Sequence, residues 1–104
     1  MLLSSLLFAQ ESNISTPKDF YLEQNYPNPF NPSTTIRFSI PSTTQVQLKV
    51  YNVLGNEIAT IVNEELPADN YNVEYDASNL PSGIYFYTLT TNDFSETKKM
   101  TLIK

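Results

Sequence analysis

The seven residues Tyr26-Pro27-Asn28-Pro29-Phe30-Asn31-Pro32 exclude more architectures than any other part of this chain. Each proline fixes its own φ, removes a backbone donor and pushes the residue before it out of the helical region. Neither a helix nor a central strand can run through such a segment. It is expected to be a stiff, largely extended ribbon, with Tyr26 and Phe30 needing an apolar surface to lie on.

Beyond the ribbon the pattern has a period of two. Ile36, Phe38 and Ile40 share one parity in Thr34 to Ile40, and Val46, Leu48 and Val50 share one in Gln45 to Tyr51. Such alternation marks half-buried strands. Tyr71, Val73 and Tyr75 alternate before a loop over Ala77 to Ser82, and Met100 and Leu102 share a parity in the closing strand, Glu96 to Lys104. Glu57 to Asn63 is less regular, because Ile58, Ile61 and Val62 do not share a parity. Glu64 to Asn70, with Pro67, is expected to be a polar connector. Gly83 to Thr91 is apolar on both faces, which predicts a central strand or a covered one. Gly55 is expected to supply a positive φ in a tight reversal. Six strands follow one another, and Asp19 to Glu23 offers a seventh. Short strands divided by Gly, Pro and Asn turns predict an all-β fold, an antiparallel immunoglobulin-like β-sandwich of about seven strands.

Composition removes most chemistry. With 104 residues the chain suits one small domain. It has no cysteine and no histidine, so disulfide stapling, thiol catalysis and the usual general base are absent. A net charge of −5 opposes nucleic-acid binding, which needs basic patches against phosphate. Lys98, Lys99 and Lys104 are three of only six positive residues and crowd the last seven positions. They mark either an interaction end or an edge strand guarded by lysines.

The remaining candidates are weak. Glu64 with Glu65, and Glu74 with Asp76, are carboxylate pairs that would need to flank a cleft to act as acid and base. Solvated surface charge is the plainer reading. Asp69, Asn70 and Asp76 offer oxygen ligands for calcium, without the spacing of a calcium-binding loop. Neither metal nor cofactor is expected. Tyr51, Ile84 and Phe86 are placed on outer faces, where they form an interaction patch or are covered by the proline ribbon; the covered arrangement is preferred.

At the start, Leu2, Leu3, Leu6, Leu7, Phe8 and Ala9 form an apolar run too short to span a bilayer. It is similar to the core of a secretory signal with cleavage after Ala9, although no basic residue precedes it. A disordered or helical start is the alternative. Residues 11–18 read as a linker, and Asn13-Ile14-Ser15 matches a glycosylation sequon. Residues 1–18 are thus read as a signal-like segment and linker, and 19–104 as the domain.

Four blocks in order resemble a known family. Leu22 through Ile36, with the proline ribbon inside it, resembles the opening of the type IX (Por) secretion-system C-terminal sorting domain. Val50-Tyr51-Asn52-Val53-Leu54-Gly55 with Glu57-Ile58, then Leu80 through Tyr87, then Thr97 through Lys104 resemble its later blocks. The resemblance runs from Tyr21 to Lys104. It implies a seven-stranded immunoglobulin-like sandwich, found at the C-terminus of secreted proteins of certain Gram-negative bacteria. Such a domain folds in the periplasm and is read by an outer-membrane translocon. A sortase-like cell-surface protease then removes it and joins the cargo to an anionic lipopolysaccharide. The resemblance thus implies that the domain is a substrate of that machinery, not an enzyme.

By position, the resemblance places recognition on Pro27, Asn28, Pro29 and Phe30, on Gly55, on Gly83 and Tyr85, and on Lys98, Lys99 and Lys104. Members of the family often carry Gly where Asp69 stands; Asp tolerates left-handed geometry, so the turn is expected to be kept. A cargo is expected ahead of the domain. With only Met1 to Lys18 there, the chain reads as a fragment of a larger secreted protein or a gene remnant. Two other functions fit a sandwich of this kind: an assembly module similar to the flagellar hook-capping domain, or a carbohydrate-binding module using exposed tyrosine.

Overall fold

The computed structural model describes the backbone of Leu7–Ala9 and all of residues 16–104. Its strands are β1 (Leu7–Ala9), β2 (Tyr21–Leu22), β3 (Ser33–Ile40), β4 (Thr44–Tyr51), β5 (Glu57–Leu66), β6 (Asp69–Asp76), β7 (Gly83–Thr90) and β8 (Ser95–Leu102). Two antiparallel sheets form, in the orders β1-β6-β3-β2 and β5-β4-β7-β8. The seven strands from Tyr21 onward make the expected immunoglobulin-like sandwich. Most of the apolar run at the start, and the sequon at Asn13, lie outside the described residues. Leu7–Ala9 pair antiparallel with Tyr71 to Val73.

The period-two pattern becomes the core directly. Ile36, Phe38, Ile40, Val46, Leu48, Val50, Val73, Tyr87, Leu89, Met100 and Leu102 are all buried between the sheets. Phe38 and Tyr71 are register partners on adjacent strands, with ring centroids 5.3 Å apart and stacked. Such cross-strand aromatic pairs add to the burial term. As expected, β7 is central, flanked by β4 and β8.

The irregular strand has a specific cause. Leu48 pairs with Val62 but Lys49 with Thr60, and Val50 pairs with Ala59 but Tyr51 with Glu57. Ile61 and Ile58 are therefore extra residues in two bulges, and each bulge flips the parity that follows it. Because β5 is an edge strand, the bulges also twist that edge away from further pairing.

Two expectations about turns are corrected. The polar connector at Glu64 to Asn70 shrinks to Pro67 and Ala68, since β5 runs on to Leu66 and β6 starts at Asp69. Glu65 faces outward on this edge strand, where charge is tolerated, while Glu64 shares the parity of buried Val62 and Leu66 and stays partly exposed. Asp69 does not take left-handed geometry, because no described non-glycine residue has a positive φ. Instead it opens β6, its side chain accepting a 2.7 Å hydrogen bond from the Asn70 N–H. Gly55 does have a positive φ, 85°. A Cβ there would meet nothing within 4 Å, so the backbone angle alone requires glycine.

Two tyrosines lock the connections that change sheets. The Tyr71 hydroxyl donates to the Pro67 carbonyl at 2.7 Å, and that of Tyr85 to the Pro81 carbonyl at 2.6 Å. Each reaches back four residues from a strand start to the loop before it. This is the tyrosine corner of immunoglobulin-like sandwiches, here present twice. Replacing Tyr71 or Tyr85 by Phe should lower unfolding stability by about 1 kcal/mol each. Denaturant melts of the two single variants and the double variant measure this; near-additive losses are expected, because the corners serve different connections.

Candidate functional site

The proline ribbon and the final strand form one structural unit. The chain leaves β2 along β3, where the Glu23 N–H donates to the Arg37 carbonyl and Tyr26 bridges Thr35. It then crosses to the other sheet. The Phe30 N–H donates to the Thr101 carbonyl at 2.9 Å, and the Ile103 N–H donates to the Phe30 carbonyl at 3.0 Å. The side-chain oxygen of Asn28 accepts from the Thr101 N–H at 3.0 Å. The lower half of the β8 edge is therefore capped, which removes unpaired backbone groups from that edge. Residues 27–29 and 31–32 form bends, so the segment is not the extended ribbon its composition suggests.

A polar cluster, buried at Asn25 and Thr34 and exposed at Gln24, holds the crossing in place. The Tyr87 hydroxyl donates to the Glu23 carbonyl at 2.6 Å and accepts from the Asn25 N–H at 2.7 Å. Asn25 is 2% exposed; its amide donates to Thr34 Oγ1 at 2.9 Å and to the Pro27 carbonyl at 3.1 Å. Thr34 in turn donates to the same Pro27 carbonyl at 2.9 Å. The Gln24 amide donates to Asn25 Oδ1 at 2.7 Å and to the Lys99 carbonyl at 2.6 Å. Sequence reasoning singled out none of Gln24, Asn25, Thr34 or Tyr87 for this role. The available signal was a tyrosine at a core parity in β7, since a buried tyrosine hydroxyl needs a partner.

The expected recognition residues separate into exposed and structural ones. Pro27, Asn28 and Pro29 are exposed, whereas Phe30 enters the core at 2% exposure. Tyr26, expected to be buried, is 80% exposed; its backbone bridges Thr35 at the sheet edge, leaving its ring on the solvent side. Tyr85 is buried and serves its corner. Gly55 lies in the β4–β5 turn and Gly83 opens β7 opposite Leu102. Lys98 has the inward parity of Met100 and pairs with Glu96 at 3.2 Å. Lys99 has the outward parity and is exposed. Lys104 folds back, its N–H donating to Ser82 Oγ at 2.9 Å and its Nζ to the Ser78 carbonyl at 2.5 Å. The structure thus joins Pro27 to Phe30 with Lys99, Lys104 and Gly83, and leaves Gly55 and Lys98 apart.

The ribbon does not cover the outer aromatics as preferred above: its hydrogen bonds run to β3 and to the edge of β8. Tyr51 and Phe86 are half-buried and Ile84 is exposed on the outer face of the second sheet. The calcium candidates do not meet, because Asp69 pairs with Ile40 and Asp76 with Ser33 at opposite ends of β6. Hydrogen bonds from the Ser78 hydroxyl and N–H, with a smaller contribution from the Lys104 charge, hold the Asp76 carboxyl below its usual range. Among the described residues no group of acids could hold a metal ion.

The proline-rich opening and the terminal strand of the sandwich are thus bonded into one surface. The sequence matches the family model described as the secretion system C-terminal sorting domain over residues 24–104. The chain belongs to that family, the sorting domains of type IX secretion. Its members are sorting signals rather than catalysts, and they direct export to the cell surface or beyond. No curated protein matches the chain.

Burial pushes the Tyr87 hydroxyl up to about 12, against the lowering effect of the Asn25 N–H. A raised pKa in the folded state means stability is intact below the unfolded tyrosine value of about 10 and is lost as pH climbs from there through about 12. Tyr87→Phe should cost about 2 kcal/mol, because the Asn25 N–H and the Glu23 carbonyl lose their partner. Unfolding curves between neutral and strongly alkaline pH measure both effects, and the variant should lose part of the alkaline decline.

Proposed function

We infer that this domain carries an attached protein through the type IX outer-membrane translocon to the cell surface. The observation behind this reading is the bonded unit of ribbon and terminal strand, lying within the residues matched by the family model. A folded signal needs a surface whose shape does not fluctuate. Here Asn28, Phe30 and the strand edge at Thr101 hold one another, so the exposed Pro27-Asn28-Pro29 bends and Lys99 are presented in fixed relation. Fixed presentation limits the entropy lost on recognition. The cargo stands on the N-terminal side, the domain crosses the periplasm folded, and a sortase-like protease removes it at the surface.

The test fuses a reporter ahead of the full 104-residue chain in a bacterium with a working type IX system. The reporter should reach the surface or the medium, freed of the domain, and should stay in the periplasm when the translocon is deleted. Retention in the intact strain would overturn the reading. Asn28→Ala should reduce export several-fold while the domain stays folded, since only one exposed hydrogen bond is lost.

A further inference from the structure

The outer face of the second sheet is divided into two unlike halves. Toward Gln45 and Thr90 it is polar and internally satisfied. The Gln45 and Gln47 amides donate to Asn63 Oδ1 at 3.1 and 3.4 Å, and the Thr88 and Thr97 hydroxyls bond at 2.7 Å. Toward the other end the register aligns Glu57, Tyr51, Phe86 and Lys99 in one row, with Glu57 paired to Lys49 at 3.3 Å, and Ile84 with Thr101 in the next. Ile103 continues β8 beyond them at 53% exposure, and Ile84 is 41% exposed.

The β4–β5 turn follows directly on Tyr51 and carries Val53 and Leu54, 64% and 80% exposed. Such aliphatics could be accidental on a loose loop, but this loop is fixed. Asn52 Oδ1 accepts from the N–H groups of Leu54 and Asn56 at 2.9 and 3.0 Å. The Asn52 N–H donates to the Asn56 carbonyl and the Gly55 N–H to the Asn52 carbonyl, both at 3.0 Å. Gly55 supplies the positive φ that closes the turn. Two large aliphatic side chains are thus held out in water at a position the chain fixes with four hydrogen bonds. Exposed apolar side chains held in fixed positions next to a half-exposed apolar sheet face mark an interaction site.

We propose that Val53 and Leu54, with Tyr51, Phe86 and Ile84 behind them, form the surface by which this domain docks on a protein subunit of its export machinery, in an apolar cleft edged by a carboxylate. The proposal rests on the sorting function above and specifies its contact surface. Charge selects the partner. Lys99 stands beside Phe86 on this face and has no ion pair among the described residues, while Lys49 and Lys98 are both neutralised. A carboxylate at the cleft rim would meet it. A second copy of this chain suits the face less well, because two molecules of net charge −5 repel and a two-fold contact on this patch would bring Lys99 near Lys99.

The experiment compares reporter fusions of the full chain carrying no change, Val53→Ser with Leu54→Ser, Lys99→Glu, or Gln47→Ala on the polar half. The substituted side chains are outside the core, so melting temperatures of the purified chains should stay within about 2 °C of the parent. Surface display should fall about tenfold or more for the Val53/Leu54 double variant and for Lys99→Glu, and not for Gln47→Ala. A carboxylate-to-lysine change in the receiving subunit should restore export of Lys99→Glu. Full export of a folded Val53/Leu54 double variant would overturn the proposal and leave the sorting function standing. Failure of the unchanged fusion would instead remove the sorting function and this proposal with it. Sedimentation of the full chain, alone and with phosphatidylethanolamine/phosphatidylglycerol vesicles, should show a monomer that does not bind lipid. A dimer, or vesicle binding, that disappears in the double variant would overturn the proposal in favour of self-association or a lipid surface.

Discussion

The Tyr87 hydroxyl is the point on which the rest of this structure depends. It lies on the central strand of one sheet and holds both sides of the peptide segment that leaves the other, accepting from Asn25 and donating to Glu23. A sandwich of two sheets has an open side wherever edge strands face each other without a connection. Here that side is closed by a chain segment that changes sheets, and a segment changing sheets must abandon one ladder before it joins the next. The polar groups it leaves unpaired would each be costly to bury. Asn25, Thr34 and Gln24 take up those groups around the hydroxyl, which lets the prolines make the crossing. Proline suits the position for the same reason it is excluded from ladders: it brings no N–H that would need a partner.

Much of this was legible in the residues. Alternation at Ile36, Phe38 and Ile40, and at Val46, Leu48 and Val50, follows from the pleat itself and needs no tertiary information. The broken parity at Ile58, Ile61 and Val62 was visible too, but not its meaning, because a bulge is a relation between two strands and only one of them is read at a time. Glu64 and Glu65 were assigned to a connector because charge looks like loop. Their strand exists because Thr44 and Gln45 lie across from Leu66 and Glu65, and local propensity does not hold that information.

The site was legible in its parts but not in its assembly. Four ordered blocks marked the family, and the structure shows why they travel together: the first and last bond each other, the third supplies Tyr85 and Tyr87, and the second ends in the Asn52 turn. What could not be read was which residues of each block face inward. Phe30 and Tyr85 belong to the core and Tyr26 does not, although all are aromatic. The twin spacing of Pro67 to Tyr71 and Pro81 to Tyr85 was a signal that went unused. It is a geometric one, in which a carbonyl in a loop meets a hydroxyl four residues later.

The bond between Asn28 and Thr101 joins residues 73 positions apart, and that between Gln24 and Lys99 joins residues 75 apart. Neither can form until the ribosome has passed the final strand. The ribbon, made early, has no edge to cap before then, and the side of the sandwich stays open. Such long-range closure is slow relative to local structure, and it makes the completed surface a statement about the chain as a whole. A prematurely terminated product would carry the prolines without their partner strand. The surface that carries the exposed bends therefore exists only in a chain that extends through Thr101 and has closed on itself.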